Sequence, residues 1–310
     1  MLLIITPNPA LDRTMIFDGL RLGTVQRTEQ VLVAAGGKGL NVARAARTLG
    51  QAALVCAPLG GHTGEQVAHL AAEEGLLGRW TSMHAGETRT CILLVDPQTE
   101  DATALNEAGP PLAERDWAAF TADVLDGAAS ADLCLLTGSL PRGVSASQLG
   151  DLLSELSVRG RRVLVDSSGP ALAAAVAVRP YGIKVNQHEL GNLLGRTLTS
   201  PQEAAQALHE LQAQGIQLAA VSLGATGCVV AHAGATWHAC PPAVCAVSSI
   251  GSGDSLLAGL STGLLRGIPL PDALRLGVAC GSADALTIGG GRIALNEVQR
   301  LSAATQLWRL

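Results

Sequence analysis

Gly251-Ser252-Gly253-Asp254 is a run of minimal side chains that ends in one carboxylate and leads into Ser255-Leu256-Leu257-Ala258-Gly259-Leu260, which reads as a helix. Small residues ahead of a helix leave its first backbone N–H groups open, and those groups with the helix dipole favour a phosphate-like anion. Asp254 stands beside that seat. A carboxylate there opposes an anion unless it has a chemical task, and taking the proton from a hydroxyl that attacks phosphorus is such a task. An ordinary strand-to-helix turn has the same Gly-x-Gly pattern, so the rest of the chain must carry the assignment.

Asn8-Pro9-Ala10-Leu11-Asp12 and Gly36-Gly37-Lys38-Gly39-Leu40-Asn41 form a second group. The glycines permit close backbone approach to a ligand and open a helix over 40–49, Lys38 adds a point charge, and Asp12 and Asn41 offer what sugar hydroxyls require. The spacing differs from a Walker P-loop, and a glycine turn with a surface lysine is the competing reading. Thr88-Arg89-Thr90 and Thr137-Gly138-Ser139-Leu140-Pro141 come third: an arginine on a covering strand and a strand end at which open α/β sheets bind ligands.

In Lys184-Val185-Asn186-Gln187-His188-Glu189, Asn186 and Glu189 share one helical face. An amide oxygen plus a carboxylate suits Mg²⁺ held through water, and a helix N-cap with Glu at the third position explains the same pair. His188 reads as structural or solvent-facing. Ser222-Leu223-Gly224-Ala225-Thr226-Gly227 suits close passage of nucleotide phosphates, and equally a plain hairpin.

These residues need a frame. Apolar runs at 52–57, 132–137, 162–166, 182–185 and 217–223 read as buried strands, and 64–75, 113–127, 145–159 and 201–214 carry helical spacing. That rhythm predicts a parallel sheet covered by helices on both faces, with a crevice at the carboxyl ends of its strands. Residues 10–33 and 79–107 break it with short alternating segments, and are expected to form a small β-sheet lid that keeps water from the reaction.

A length of 310 residues suits one large domain with a small appendage, and a net charge of -5 without a basic tract argues against nucleic acid. No apolar stretch runs the roughly 18 residues of a membrane span, and the opening residues do not read as a signal peptide, so a soluble cytoplasmic protein is expected. The seven cysteines, with no Cys-x-x-Cys pair, read as reduced, buried thiols. Of 21 basic residues only Lys38 and Lys184 are lysines, and both fall inside the motifs above. An ammonium on a flexible stem suits a phosphate that moves, where an arginine fork prefers a fixed partner.

With these motifs in fixed order from Thr6-Pro7-Asn8-Pro9 to Gly251-Ser252-Gly253-Asp254-Ser255, the chain resembles the ribokinase-like, phosphofructokinase-B family of carbohydrate kinases, in the branch of 1-phosphofructokinase and tagatose-6-phosphate kinase. The resemblance implies a single ribokinase-like kinase domain over 1–310, a three-layer α/β/α fold with a mostly parallel sheet plus a small lid. It also implies ATP-dependent phosphorylation of a ketohexose phosphate, fructose 1-phosphate first, with tagatose 6-phosphate and fructose 6-phosphate as alternatives. A catalytically idle sugar-phosphate sensor is the reading from another class.

Carried over by position, the resemblance makes Asp254 the base and the N–H groups of Gly251, Ser252, Gly253 and Asp254 the anion hole. Asp12, Gly37 and Asn41 would hold the sugar; Lys38, Arg89 and Ser139 would hold its phosphate, with Arg27 helping across a homodimer formed through the lid. Lys184, Asn186, Ser222, Gly224 and Gly227 would lie along ATP, and Asn186 and Glu189 would organise Mg²⁺ through water. Three positions depart from the family pattern: Ser252 for alanine, Ser248-Ser249 for Asn-Thr or Asp-Thr, and Val185 for proline.

Overall fold

A computed structural model describes residues 1–97 and 101–310. In chain order the elements are β1 (Leu2–Ile5), β2 (Ala10–Ile16), β3 (Val31–Gly36), α1 (Lys38–Thr48), β4 (Ala53–Leu59), α2 (Gly61–Glu73), β5 (Leu77–Ser82), β6 (Arg89–Asp96) and β7 (Asp101–Asn106). There follow α3 (Glu114–Ala128), β8 (Leu133–Thr137), α4 (Ala146–Val158), β9 (Val163–Asp166), α5 (Gly169–Val178), β10 (Gly182–Asn186), α6 (Gln187–Leu194), α7 (Pro201–Ala213) and β11 (Leu218–Ser222). The chain closes with β12 (Cys228–His232), β13 (Ala235–Cys240), α8 (Ser252–Leu265), α9 (Leu270–Asp284), α10 (Leu295–Ala304) and β14 (Gln306–Arg309).

Ten strands make the large sheet, in the order β14-β13-β12-β11-β10-β9-β8-β1-β4-β5. Those from β11 to β5 are parallel and the last three are an antiparallel extension. Their apolar runs follow from burial on both faces. Leu2 and Ile4 of β1 join a core with α1, α8 and α9, whereas Leu3 and Ile5 join another with α3 and α4, the period of two that a strand dictates. From β5 the chain returns to β8 on the other side of β1, so the order reverses at β1 and leaves a crevice at the strands' carboxyl ends.

The second sheet has four strands, β3-β2-β6-β7. Its β2–β6 pair is parallel and its other pairs are antiparallel. Residues 98–100 of the expected lid segment lie outside the described residues. Residues 79–82, expected in that small sheet, pair instead with β4 as the edge strand β5 of the large one. An edge strand half open to solvent alternates as a lid strand does, so its pattern alone misassigns it.

α8 and α9 pack with backbones nearly touching: a Cβ on Gly259 would lie 2.8 Å from the Gly277 Cα, and one on Gly281 would lie 2.9 Å from the Ser252 carbonyl oxygen. That contact presses the end of α9 against the start of α8. All seven cysteines are free thiols, but burial holds only for Cys56, Cys134, Cys228 and Cys280; Cys91 and Cys240 are half-buried and Cys245 is exposed, on a loop outside the core. Among the described residues no helix is long and apolar enough to cross a membrane.

Candidate active site

Thr6, Thr137, Asp166, Asn186 and Ser222 stand at or just past the carboxyl ends of β1, β8, β9, β10 and β11. Over those ends lies a cavity of about 1010 Å³, lined by Asp12 and Arg89 from the small sheet, Lys38 from α1 and Asp254 from α8. Strands that end in polar residues after apolar runs thus deliver donors and acceptors to one crevice.

Asp254 is buried in the first turn of α8, which opens at Gly251 with φ of 98°. A side chain at Gly251 would meet the Gly290 Cα at 2.4 Å, so left-handed backbone and close approach both require glycine there. The Asp254 N–H donates to the Gly251 carbonyl at 2.9 Å and the Ser252 N–H to the Ser249 carbonyl at 3.3 Å. The N–H groups of Gly251 and Gly253 have no backbone acceptor among the described residues, and they are the donors left for an anion. A Cβ at Gly253 would stand 3.1 Å from Lys184 Nζ, which places that ammonium against the same turn.

Burial pushes the Asp254 carboxyl up to about 6, against the lowering pull of Lys38 and of the Asn41 hydrogen bond. A carboxyl poised near neutrality is suited to accept a proton. Asn41 Nδ2 donates to Asp254 Oδ2 at 2.9 Å, and Asn41 Oδ1 accepts from Arg44 at 3.1 Å. Arg44 is in turn fixed by the carbonyls of Ala35 and Gly290, both at 2.7 Å, and by an ion pair with Glu74. The amide expected to hold sugar is therefore also a bracket for the Asp254 carboxyl, on a chain of contacts that ends at Arg44 and Glu74.

The two lysines share one acid. Asp166, fully buried at the end of β9, accepts from Lys38 Nζ at 3.0 Å and from Lys184 Nζ at 2.6 Å. Burial raises its pKa, yet Lys184 and Lys38 together hold it below the ordinary carboxylate value. Asp166 in return keeps the Lys38 ammonium above its ordinary value, against burial. One carboxylate between two ammoniums lets both cations stand together in a site of low dielectric. The motif reading missed Asp166; a carboxylate closing the apolar run 162–166 was the signal.

Asp12 faces the cavity from β2, its Oδ2 accepting from the Gly37 N–H at 3.3 Å. Burial raises its pKa and that N–H lowers it. A Cβ on Gly39 would fall 1.8 Å from Thr6 Oγ1, so only glycine lets α1 start this close to β1. Arg89 donates to the carbonyls of Asn8 at 3.0 Å, Glu107 at 3.2 Å and Pro9 at 3.3 Å, tying the small sheet to the loop after β1. Ser139 Oγ accepts from Asn8 Nδ2 at 3.1 Å. Arg27 is exposed and does not line the cavity of the single chain.

Asn186 and Glu189 form a reciprocal capping box at α6: Asn186 Oδ1 accepts from the N–H groups of His188 at 3.0 Å and Glu189 at 2.8 Å, and Glu189 Oε2 accepts from Asn186 N at 2.8 Å. The box leaves Glu189 Oε1 without a hydrogen bond among the described residues, and both side chains line the cavity. His188 is exposed. Ser222, Gly224 and Gly227 line the cavity from the β11–β12 hairpin, where a Cβ on Gly227 would lie 1.9 Å from the Ala239 carbonyl oxygen. No group of three or more His, Cys, Asp or Glu side chains suited to a metal occurs among the described residues.

The family model for the pfkB family carbohydrate kinase matches residues 6–295. The 1-phosphofructokinase of Rhodobacter capsulatus is 36% identical over 273 residues, covering 88% of this chain and 86% of that protein. The 1-phosphofructokinase of Vibrio cholerae is 34% identical over 98% of this chain and 96% of its own. A crystal structure of phosphofructokinase-2 from Escherichia coli in complex with substrates and products superposes with a TM-score of 0.91 at 31% identity, covering 97% of this chain and 98% of that one. The chain belongs to the pfkB family of carbohydrate kinases.

Proposed function

We propose that the protein transfers the γ-phosphoryl group of ATP to the C6 hydroxyl of fructose 1-phosphate, giving fructose 1,6-bisphosphate and ADP. The observation that carries this reading is Asp254, a buried carboxyl raised to about 6 beside two unpaired N–H groups and the Lys184 ammonium. Asp254 takes the hydroxyl proton as the O–P bond forms and the bond to the β-phosphate breaks. The N–H groups of Gly251 and Gly253 with Lys184 meet the charge on the transferring group.

Lys38, Arg89 and Ser139 hold the phosphate already on the sugar, and Asp12, Gly37 and Asn41 hold its hydroxyls. Lys38 leaves Asp166 for the substrate phosphate, a motion its half-exposed stem permits. ATP lies along Lys184, Asn186, Ser222, Gly224 and Gly227, with its base against Pro242, Val244 and Val278. Oxygen donors that are few and partly committed to a helix cap fit Mg²⁺ held through water, and Asn186 and Glu189 would hold it so. When bound, Mg²⁺ offsets the charge of the nucleotide phosphates. The small sheet acts as a lid that keeps water out of the crevice.

Exposed Leu32 and Leu105 on that sheet support its serving also as the contact of a homodimer, with Arg27 reaching the partner's cleft. A monomer by sedimentation at working concentration would remove that part. Cytoplasmic location accords with the substrates. A second reading, fructose 6-phosphate as acceptor, is favoured by the likeness to a crystal structure of the Escherichia coli phosphofructokinase-2 in complex with fructose-6-phosphate; tagatose 6-phosphate has the same charge. An ADP-coupled assay over the three sugar phosphates and their free sugars decides: kcat/KM is expected to be highest for fructose 1-phosphate, and absence of ADP with every acceptor would favour a non-catalytic sensor.

A further inference from the structure

Asp284 closes α9 at 1% exposure. It falls three residues after Gly281 and seven after Gly277, on the face of α9 that meets α8. Its Oδ1 accepts from Ser255 Oγ at 3.1 Å, and Ser255 directly follows the base. Its Oδ2 accepts no hydrogen bond of normal geometry, and a Cβ placed on Gly251 would stand 2.9 Å from it. A buried carboxylate oxygen whose nearby donors, the Gly291 and Arg292 N–H groups, fall short of normal hydrogen-bond geometry is costly and calls for an explanation. Here it lies against the turn whose Gly251 and Gly253 N–H groups have no backbone acceptor among the described residues.

We propose that Asp284 is a positioning residue for phosphoryl transfer: it anchors the first turn of α8 through Ser255, and its charge state decides how well that turn accepts the transferring anion. The inference rests on the kinase reading above. As a neutral acid Asp284 leaves the N–H groups of Gly251 and Gly253 unopposed. As an anion it sets a second negative charge against the turn, with Asp254 already negative beside it.

Burial pushes its carboxyl up to about 7; the Ser255 hydroxyl and the nearby N–H groups of Gly291 and Arg292 act in the other direction, and Asp254 adds to the rise. The other charged or titratable groups around the pair are Lys38 of α1, Lys184 of β10 and Asp166 of β9 on the Asp254 side, and the Cys280 thiol, pushed up by burial to about 12, on α9. The Arg292 guanidinium is turned to Glu74. No cation pairs with Asp284 itself among the described residues.

The test is calorimetric binding of the β,γ-imido analogue of ATP with Mg²⁺ from pH 6 to 8.5, for wild type and Asp284→Asn, which keeps an oxygen for Ser255 and loses the charge. Wild type is expected to lose affinity relative to the variant as pH rises, by about threefold or more at pH 8.5. In turnover the variant should keep more of its pH 6.5 kcat at pH 8.5 than wild type does. Parallel curves for the two proteins would overturn the proposal, whereas a failure of the kinase reading would show as no ADP from either. Should Asp284→Asn not fold, ¹³C carboxyl resonances of aspartate still decide. The Asp284 signal should titrate above pH 6 in wild type and lower in Asp254→Asn; a midpoint below about 4.5 in wild type contradicts the proposal.

Discussion

Asn41 Nδ2 donates to Asp254 Oδ2 across 2.9 Å, so the side chain that ends the glycine-lysine motif of α1 also orients the acid at the head of α8. A donor to the charged form favours that form. Asn41→Ala should therefore move the acid limb of kcat/KM to higher pH and lower kcat by roughly tenfold. A pH profile that overlays wild type, with only the sugar KM raised, would reduce Asn41 to a substrate ligand.

Asp166→Asn removes the charge that lets Lys38 and Lys184 stand close, and Lys184 is only 4% exposed. Denaturant unfolding should show a loss on the order of 3 kcal/mol, as when one member of a buried ion pair is deleted. Stability within about 0.5 kcal/mol of wild type would mean that the ammoniums find other partners.

Gly39→Ala places a Cβ 1.8 Å from Thr6 Oγ1. Overpacking against the buried Thr6 and Ile4 side chains should cost about 1–3 kcal/mol in unfolding free energy and raise the KM for the sugar phosphate, since Lys38 and Asn41 move with α1. An unchanged KM would sever α1 from the sugar site.

The Asp254 carboxyl is raised, so the folded protein holds a proton there that the unfolded chain releases, and stability falls as pH rises from about 4 to about 6. Asp254→Asn should match wild type at pH 4 and exceed it by about 2–3 kcal/mol at pH 8. Equal stability at pH 8 would show that nearby cations fully compensate the buried charge.

Much of the frame was legible in the sequence because it follows from burial: the runs that became β4, β8, β9 and β11 are apolar on both faces, β10 is so apart from Lys184, and α2, α3, α4 and α7 carry one apolar side. The edge strand β5 was misplaced; of the antiparallel extension only the β11–β12 turn was read, as a hairpin, and α9 went unread because Gly277 and Gly281 trade apolar pattern for close approach. In the site, motif residues near one another in sequence were readable. Arg44, Asp166 and Asp284 were not, because each acts through a partner that only the fold brings near: Asn41, the two lysines and Ser255. For Asn186 and Glu189 the cap reading describes the contacts present, and the metal role rests on what the box leaves unused.

The most direct measurement is the turnover of Asp254→Asn with saturating ATP, Mg²⁺ and fructose 1-phosphate, beside the affinity of the same variant for the sugar phosphate. The expected result is a kcat lower by about 10²–10⁴-fold with sugar-phosphate binding largely intact. A variant that keeps more than about a tenth of wild-type turnover would contradict the assignment of Asp254 as the base, because losing a true general base costs at least about a hundredfold.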